Sequence, residues 1–413
     1  IKNFSFQNNY IKRYLNKIIL DKIFLKKFKF NPNVKFFFIE HHLAHIASAF
    51  YASEFEDAIG LSIDGSGDFT TMMIAECKNE TIKVKEKVNF PDSLGIFYHA
   101  MTQFLGFKNF GDEYKVMGLA SYGEPLYFDK IKKNLFIENN DLFKLNMKYF
   151  NHGKANFDYS YKSINSIPNI YSDKLRELFD FEINNLDKEI FRKNLCASVQ
   201  KIYEYYFLKI LDKVKNLNFS KNLVFAGGCA LNSTANNILI KNFPKNVFIP
   251  VAPGDNGGSL GAAFYVSKKR IQNNNFNNPY LGSSFTDFEI KNIINQEFDG
   301  KIKYEKFNNN KEKYNIATNI IINKGVIGWF QGRMEFGPRA LGARSILADP
   351  RSSNMQKNLN LKVKFRESFR PFAPSILIEE QHKWFLNKID SRYMLLTDTI
   401  KDQHKRKLDQ SEK

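Results

Sequence analysis

The sequence predicts an α/β fold. Three observations carry that expectation: short apolar runs rich in Ile, Val and Phe, glycine turns directly after several of them, and helix-length stretches following the turns. In sheets of this kind ligands gather at the carboxyl ends of the strands, so function is to be sought at the glycine turns. At 413 residues the chain is long enough for two or three domains, taking about 150 residues for each. A hydrophobic fraction of 43%, with 15% aromatic residues, supplies a sizeable core.

Residues 1–33 read as a basic amphipathic helix ending at the Asn31-Pro32-Asn33 turn, and 34–39 as a short buried strand. Residues 41–51 form a helix. Residues 58–63 form a strand that runs into Asp-Gly-Ser-Gly-Asp. Residues 70–76 and 82–88 continue the sheet as antiparallel strands, and 95–106 are helical. Residues 111–123 are a glycine-bounded loop and helix, and the polar, aromatic stretch 125–190 reads as an insertion with little chemistry. A long helix over 190–216 precedes a strand at 223–226, which enters Gly227-Gly228. A further strand at 247–251 leads into APGDNGGSLGAA. Residues 271–286 are Asn-rich and linker-like, and 326–330 open an arginine-rich module.

The net charge is +18, from 61 Lys and Arg against 43 Asp and Glu. The excess is mostly lysine dispersed among Asn, Ile and Phe, which is a compositional bias and not a shaped face, so a nucleic-acid partner is not expected. Cys77, Cys196 and Cys229 lie far apart with no CxxC pair, which excludes a zinc finger or disulfide framework and fits a reducing cytoplasm. No apolar run approaches the roughly 20 residues of a membrane span, so no membrane partner is expected.

HHLAH places His41 and His45 at i and i+4, where both imidazoles leave one face of a helix and can share a metal. Asp64 ends an apolar strand directly before a glycine turn, and Asp255 follows another strand in the same way. Two His with one or two Asp suit non-haem iron or a similar divalent ion. His42 is either a group supporting that site or a surface residue. Gly227, Gly228 and Gly257 offer backbone N–H groups to phosphate, and Asn232 offers a hydrogen bond to a ribose or phosphate oxygen. Cys229 reads as a small core residue. Gly95 at a helix start is placed to touch a ligand, whereas the aromatic helix behind it reads as core. Asp112, Glu113 and Lys115 either line a pocket or form a solvated turn. Arg333, Arg339, Arg344, Arg351, Arg366 and Arg370, with Lys364, are interleaved with glycines and prolines. Guanidinium groups in such a setting suit a polyanionic ligand.

Taken in order, EHHLAHIASAFY, SIDGSGD, EYKVMGLASYG, FAGGCALN, APGDNGGSLGAA and GRMEFGPRALGARSILADPR resemble the O-carbamoyltransferases typified by the nodulation protein NodU and by enzymes of tobramycin and cephamycin biosynthesis. The resemblance runs from about residue 34 to 380. It implies a Kae1-like domain of the actin/hexokinase, RNase H-like type over 1–285 and the start of a YrdC-like α/β domain over 286–413. It implies that carbamoyl phosphate and ATP, taken with Mg2+, yield carbamoyl-adenylate in the YrdC-like part. The Kae1-like part then transfers the carbamoyl group to a hydroxyl of a sugar, aminoglycoside or lipo-oligosaccharide. By the same resemblance His41, His45, Asp64 and Asp255 match iron(II) ligands. Gly95, Gly227 and Asn232 fall in loops holding the adenylate, and Arg333, Arg339, Arg344, Lys364 and Arg366 match the basic catalytic site.

Members of that family open with a glycine-turn strand bearing a His-Asp pair ahead of the match, and continue past it with an Asn-Thr-Ser-Phe-Asn-like segment. Neither is found here, so the chain reads as part of a longer enzyme. Transfer of threonylcarbamoyl to tRNA is an alternative sharing the HxxxH site, and an inactive nucleotide-binding protein of the actin fold is another. The hydrogenase-maturation carbamoyltransferases carry zinc-finger cysteines and the reverse domain order, and neither occurs here.

Overall fold

The computed structural model describes Lys27 and residues 34–138, 142–154, 168–243, 246–268, 278–298, 300–387 and 389–405. The helix expected over 1–33 lies outside these except for Lys27, which is helical. The central sheet has the order β3-β2-β1-β4-β5, with β1 Asp57–Gly67, β2 Thr70–Lys78, β3 Thr81–Asn89, β4 Leu223–Ala226 and β5 Val247–Phe248. β1 pairs antiparallel with β2 and parallel with β4, Leu61 facing Ile74 on one side and Phe225 on the other. The α/β expectation therefore holds, with a mixed sheet.

β1 is buried on both faces from Ala58 to Ser62 and on to Ile63, and its side chains alternate. Ile59, Leu61 and Ile63 enter the larger core, whereas Ala58 packs with helix α1 (His41–Phe50) and Phe264 in a smaller one. The buried side of α1 includes Ile46 and Phe50 with the small residues Ala44, Ala47 and Ala49. His42, on that same helix, points inward and is fully buried. Nε2 lies 2.9 Å from the Thr70 carbonyl oxygen, to which it donates, leaving Nδ1 to accept from the Ser62 hydroxyl at 2.9 Å. His42 is thus not a surface residue: it pins α1 across β1 and β2.

The larger core contains α2 (Leu94–Phe104), α3 (Glu113–Ala120), α4 (Phe128–Leu135) and, after two short helices, the 30-residue α5 (Lys188–Leu217). One expectation fails here. Residues 34–39 form no strand, and Phe37 and Phe38 are 63% and 58% exposed. An apolar run becomes a buried strand only with a pairing partner and cover on both faces, and no described strand lies beside it. The stretch 125–190, read as an insertion with little chemistry, lends its described residues Ile131, Phe136, Phe143, Phe150, Leu175 and Phe179 to the main core. Its apolar residues are scattered among polar ones because its short segments each contribute one or two side chains.

Beyond Asn232, α6 (Ser233–Asn242) and α7 (Gly258–Ser267) complete this part. The C-terminal part holds α8 (Asp287–Glu297), α9 (Asn310–Ile322) and an antiparallel pair, β6 (Val326–Phe330) with β7 (Arg344–Ala348). The end of the expected linker is tied down. Gly282 N–H donates to the Met334 carbonyl at 2.8 Å and Phe336 N–H to that of Pro279 at 2.7 Å, while residues 271–277 lie outside the described ones. No helix among the described residues is long and apolar enough to cross a membrane.

His152 is 1% exposed, with Nε2 donating to the Pro91 carbonyl at 2.9 Å. Burial lowers its pKa, and that of His42, to about 4. Below about pH 6.5 the unfolded chain therefore takes up protons that these two folded imidazoles refuse, so stability present above that pH is lost as pH falls toward 4. The melting temperature is expected to fall between pH 6.5 and 4.5, and to fall less in His152→Gln. Equal melting temperatures across that range contradict the burial of these rings.

Candidate functional site

The site is assembled at the carboxyl ends of β1 and β4. α1 opens on Glu40, whose carboxylate accepts the Leu43 N–H at 2.8 Å, and the Asp68 carboxylate accepts the His41 N–H at 3.1 Å. With α1 held at both ends of its first turn and pinned by His42, His41 and His45 project toward the strand ends. Their Nε2 atoms are 3.0 Å apart. Asp64 Oδ2 lies 2.9 Å from His45 Nε2 and 3.6 Å from His41 Nε2. Asp255 Oδ1 lies 3.4 Å and 3.5 Å from the same two atoms.

Asp64 is fixed by backbone as well. Its Oδ1 accepts the Gly65 N–H at 2.6 Å and its Oδ2 the Gly228 N–H at 3.0 Å. Gly228 reaches it because Gly227 has φ +96, and a Cβ on Gly227 would stand 2.2 Å from the Ile63 carbonyl oxygen. Gly67 serves His41 in the same way: a Cβ there would stand 2.1 Å from the imidazole ring. Burial pushes the Asp64 carboxyl up, but hydrogen bonds from His41, His45 and Gly228 outweigh it and hold the group well below the usual carboxylate range. Burial pushes His45 down, and its bonds to Asp255 and Asp64 outweigh that, raising it to about 9.

The four ligand atoms lie within 4.8 Å of one another. Separations of 2.9–3.6 Å match the edges of a polyhedron with metal–ligand bonds of about 2.1 Å. A pair of carboxylates that holds His45 protonated is a site that draws a cation, and a metal and that proton compete for it. The donor set of two imidazoles and two carboxylates therefore fits a divalent metal.

The other expected residues are placed as follows. Gly95 backs the Asp64 carbonyl, and Gly257 closes the turn after Asp255. The Asn232 carboxamide caps α6 by accepting the Ala235 N–H at 3.0 Å and pairs with Gln200 at 3.1 Å. Burial and the Asp64 charge push the Cys229 thiol up, so it is no thiolate. The arginine loop abuts this region, since a Cβ on Gly337 would stand 2.6 Å from the Val251 carbonyl oxygen.

The arginines do not act as one set. Arg344 Nε binds Glu335 at 2.9 Å, and Arg351 grips Asp349 at 2.7 Å. Arg366 binds Asn360 at 2.6 Å, and Arg370 covers the Tyr114 ring at 4.3 Å. Arg333 and Lys364 are exposed. Arg339 is half-buried, and its enclosed Nε has no hydrogen-bond partner among the described residues. Three organising residues carried no distinct sequence signal. Gly67 was one glycine among several and Ser62 one polar residue in a strand. Glu335 sits fully buried under the loop and accepts the N–H groups of Leu341 and Ala343 at 2.7 and 2.8 Å.

Residues 2–264 match the family model for the carbamoyltransferase N-terminus and 318–412 that for the carbamoyltransferase C-terminus. The chain is 37% identical to the uncharacterized protein sll1178 of Synechocystis over 89% of this chain and 59% of that one. It is 35% identical to the nodulation protein NolNO of Sinorhizobium fredii, over 84% and 48%. It is 28% identical to the 3'-hydroxymethylcephem-O-carbamoyltransferase of Amycolatopsis lactamdurans, over 42% and 31%. The chain thus spans about half the length of the curated relatives it matches.

About one divalent ion per chain is expected by elemental analysis of protein purified without chelator, lost in His45→Ala and Asp64→Ala. Gly67→Val, which touches no ligand atom but displaces the His41 ring, is expected to weaken binding at least about tenfold. A folded wild type without metal contradicts the assignment.

Proposed function

Because the chain belongs to the carbamoyltransferase family, we propose that it is the catalytic part of an ATP-dependent O-carbamoyltransferase. In this reading carbamoyl phosphate, ATP and water give carbamoyl-adenylate, pyrophosphate and phosphate, and the carbamoyl group then passes to a small-molecule hydroxyl. The observation that carries it is the four-ligand cluster at the strand ends, in a chain matching both halves of the family. The division is a Kae1-like part over 1–285 and a YrdC-like part over 286–413.

His41, His45, Asp64 and Asp255 hold the metal, iron(II) in this reading. When bound it supplies a Lewis acid for the carbamoyl carbonyl or a counter-charge for the adenylate phosphate. Arg339, with its unpartnered Nε, binds phosphate oxygens, and Arg333, Arg344, Lys364 and Arg366 surround the nucleotide. Glu335 shapes the loop that presents them, its carboxylate held down to about 2 by backbone N–H groups that outweigh its burial. Gly95, Gly227, Gly228 and Gly257 form the turns bordering the adenylate; the N–H groups of Gly227, Gly228 and Gly257 are donated to Pro253, Asp64 and Gly254 and so are not the phosphate donors the sequence suggested, and Asn232 fixes the start of the adjoining helix. The attacking alcohol needs orientation more than a strong base.

The acceptor is a hydroxyl of a small molecule or sugar, by analogy with the relative named for a hydroxymethylcephem. The three cysteines, none of them in a disulfide, fit a cytoplasmic setting. The match at 318–412 favours this reading over transfer to tRNA.

ATP–pyrophosphate exchange that requires carbamoyl phosphate and Mg2+ is expected, and Arg339→Ala is expected to lower it at least about tenfold. Absence of exchange in the metal-loaded chain, or salt-sensitive RNA binding in its place, contradicts the reading.

A further inference from the structure

Transfer to a hydroxyl requires a group that takes the hydroxyl proton, a need that rests on the reaction proposed above. Arginines cannot take it. Of the seven histidines, His41 and His45 face the two aspartates, and both ring nitrogens of His42 are bonded inside the fold. His152 is buried against Pro91. His382 is exposed and His404 stacks on Trp384, both in the outer C-terminal segment. His99 remains.

His99 lies on α2 four residues after Gly95, hence on the same helix face and about 6 Å further along. That helix starts on the metal-ligand loop: Ser93, its cap, donates to the Asp64 and Gly65 carbonyls at 3.2 and 2.6 Å. The other wall is α3, where the Glu113 carboxylate meets His99 Nδ1. Met117, one turn on from Glu113, lies 3.7 Å from the Ser233 hydroxyl, beside Asn232. Tyr114 and Lys115 of the same helix meet the arginine segment, at Arg370 and, 2.8 Å away, at Glu367. α3 therefore sets the His99–Glu113 pair between the glycine turns of the metal site and the arginines. His99 is 7% exposed, and its Nε2 is neither hydrogen-bonded among the described residues nor fully enclosed.

We infer that His99 and Glu113 form the base for the acceptor hydroxyl, Glu113 holding the Nδ1 proton so that Nε2 takes the hydroxyl proton. As the alcohol oxygen bonds to the carbamoyl carbon, the bond from that carbon to the adenylate phosphate oxygen breaks. AMP leaves with the bonding pair, and the imidazolium returns its proton to solvent.

The test measures two rates on metal-loaded protein: carbamoyl-phosphate-dependent pyrophosphate exchange, and AMP release with glycerol as the hydroxyl probe. The variants are His99→Gln and Glu113→Gln, each checked by melting temperature. The ratio of AMP release to exchange is expected to fall about 100-fold in His99→Gln and less in Glu113→Gln, with the acidic limb of the pH–rate profile lost in His99→Gln. The inference is overturned if folded His99→Gln keeps the wild-type ratio, or if both rates fall together, which marks a merely structural tie between α2 and α3. A wild type without exchange instead overturns the proposed reaction on which the inference rests. Should His99→Gln not fold, Glu113→Gln with an unchanged ratio and pH profile overturns it.

Discussion

The site depends on a single carboxylate. Asp64 follows the fully buried run Ala58–Ile63 of β1, and its two oxygens are divided among two backbone N–H groups and two imidazoles. Two of these partners stand on α1 and one on the turn after β4, so the position of Asp64 sets that Gly-Gly turn and the rotation of α1 together. A carboxylate in that setting stays ionised only while its donors or a cation face it. The glycines at 67 and 227 leave room for this convergence: at either position a Cβ would lie within about van der Waals overlap of the ring or strand it faces.

The histidines of α1 divide their work by direction. His42 turns into the sheet and is neutral, both nitrogens satisfied, so α1 cannot rotate without breaking two buried hydrogen bonds. His41 and His45 turn outward toward a pair of carboxylates. One helix thus has a face fixed by neutral hydrogen bonding and a face prepared for positive charge. The C-terminal loop is organised on the same principle with opposite sign: buried Glu335 is saturated by N–H groups and by Arg344, while the enclosed Nε of Arg339 has no hydrogen-bond partner among the described residues. Loop and sheet meet where Gly337 lies against Val251, just ahead of Asp255.

The sequence made much of this legible. The HxxxH spacing and the aspartates at strand ends follow from local periodicity, and β1, β4 and their turns came from short buried runs bounded by glycine. What was not legible depends on tertiary cover. The run at 34–39 has strand composition but no strand to pair with among the described residues, and the described pieces of 125–190 lack a common period because each lends the core a side chain or two. The arginines looked equivalent as letters. Only the fold distinguishes Arg344 and Arg351, paired with carboxylates, from Arg339, which has no hydrogen-bond partner at its enclosed Nε among the described residues. His99 and Glu113 are 14 residues apart and met only because α3 folds back on α2.

X-ray absorption at the edge of the bound metal tests the central claim most directly. The account predicts a shell of nitrogen and oxygen ligands at about 2.0–2.2 Å, with the outer-shell scattering of two imidazoles. That imidazole signal should halve in His41→Ala. A spectrum with sulfur ligands, or with no imidazole scattering, contradicts it.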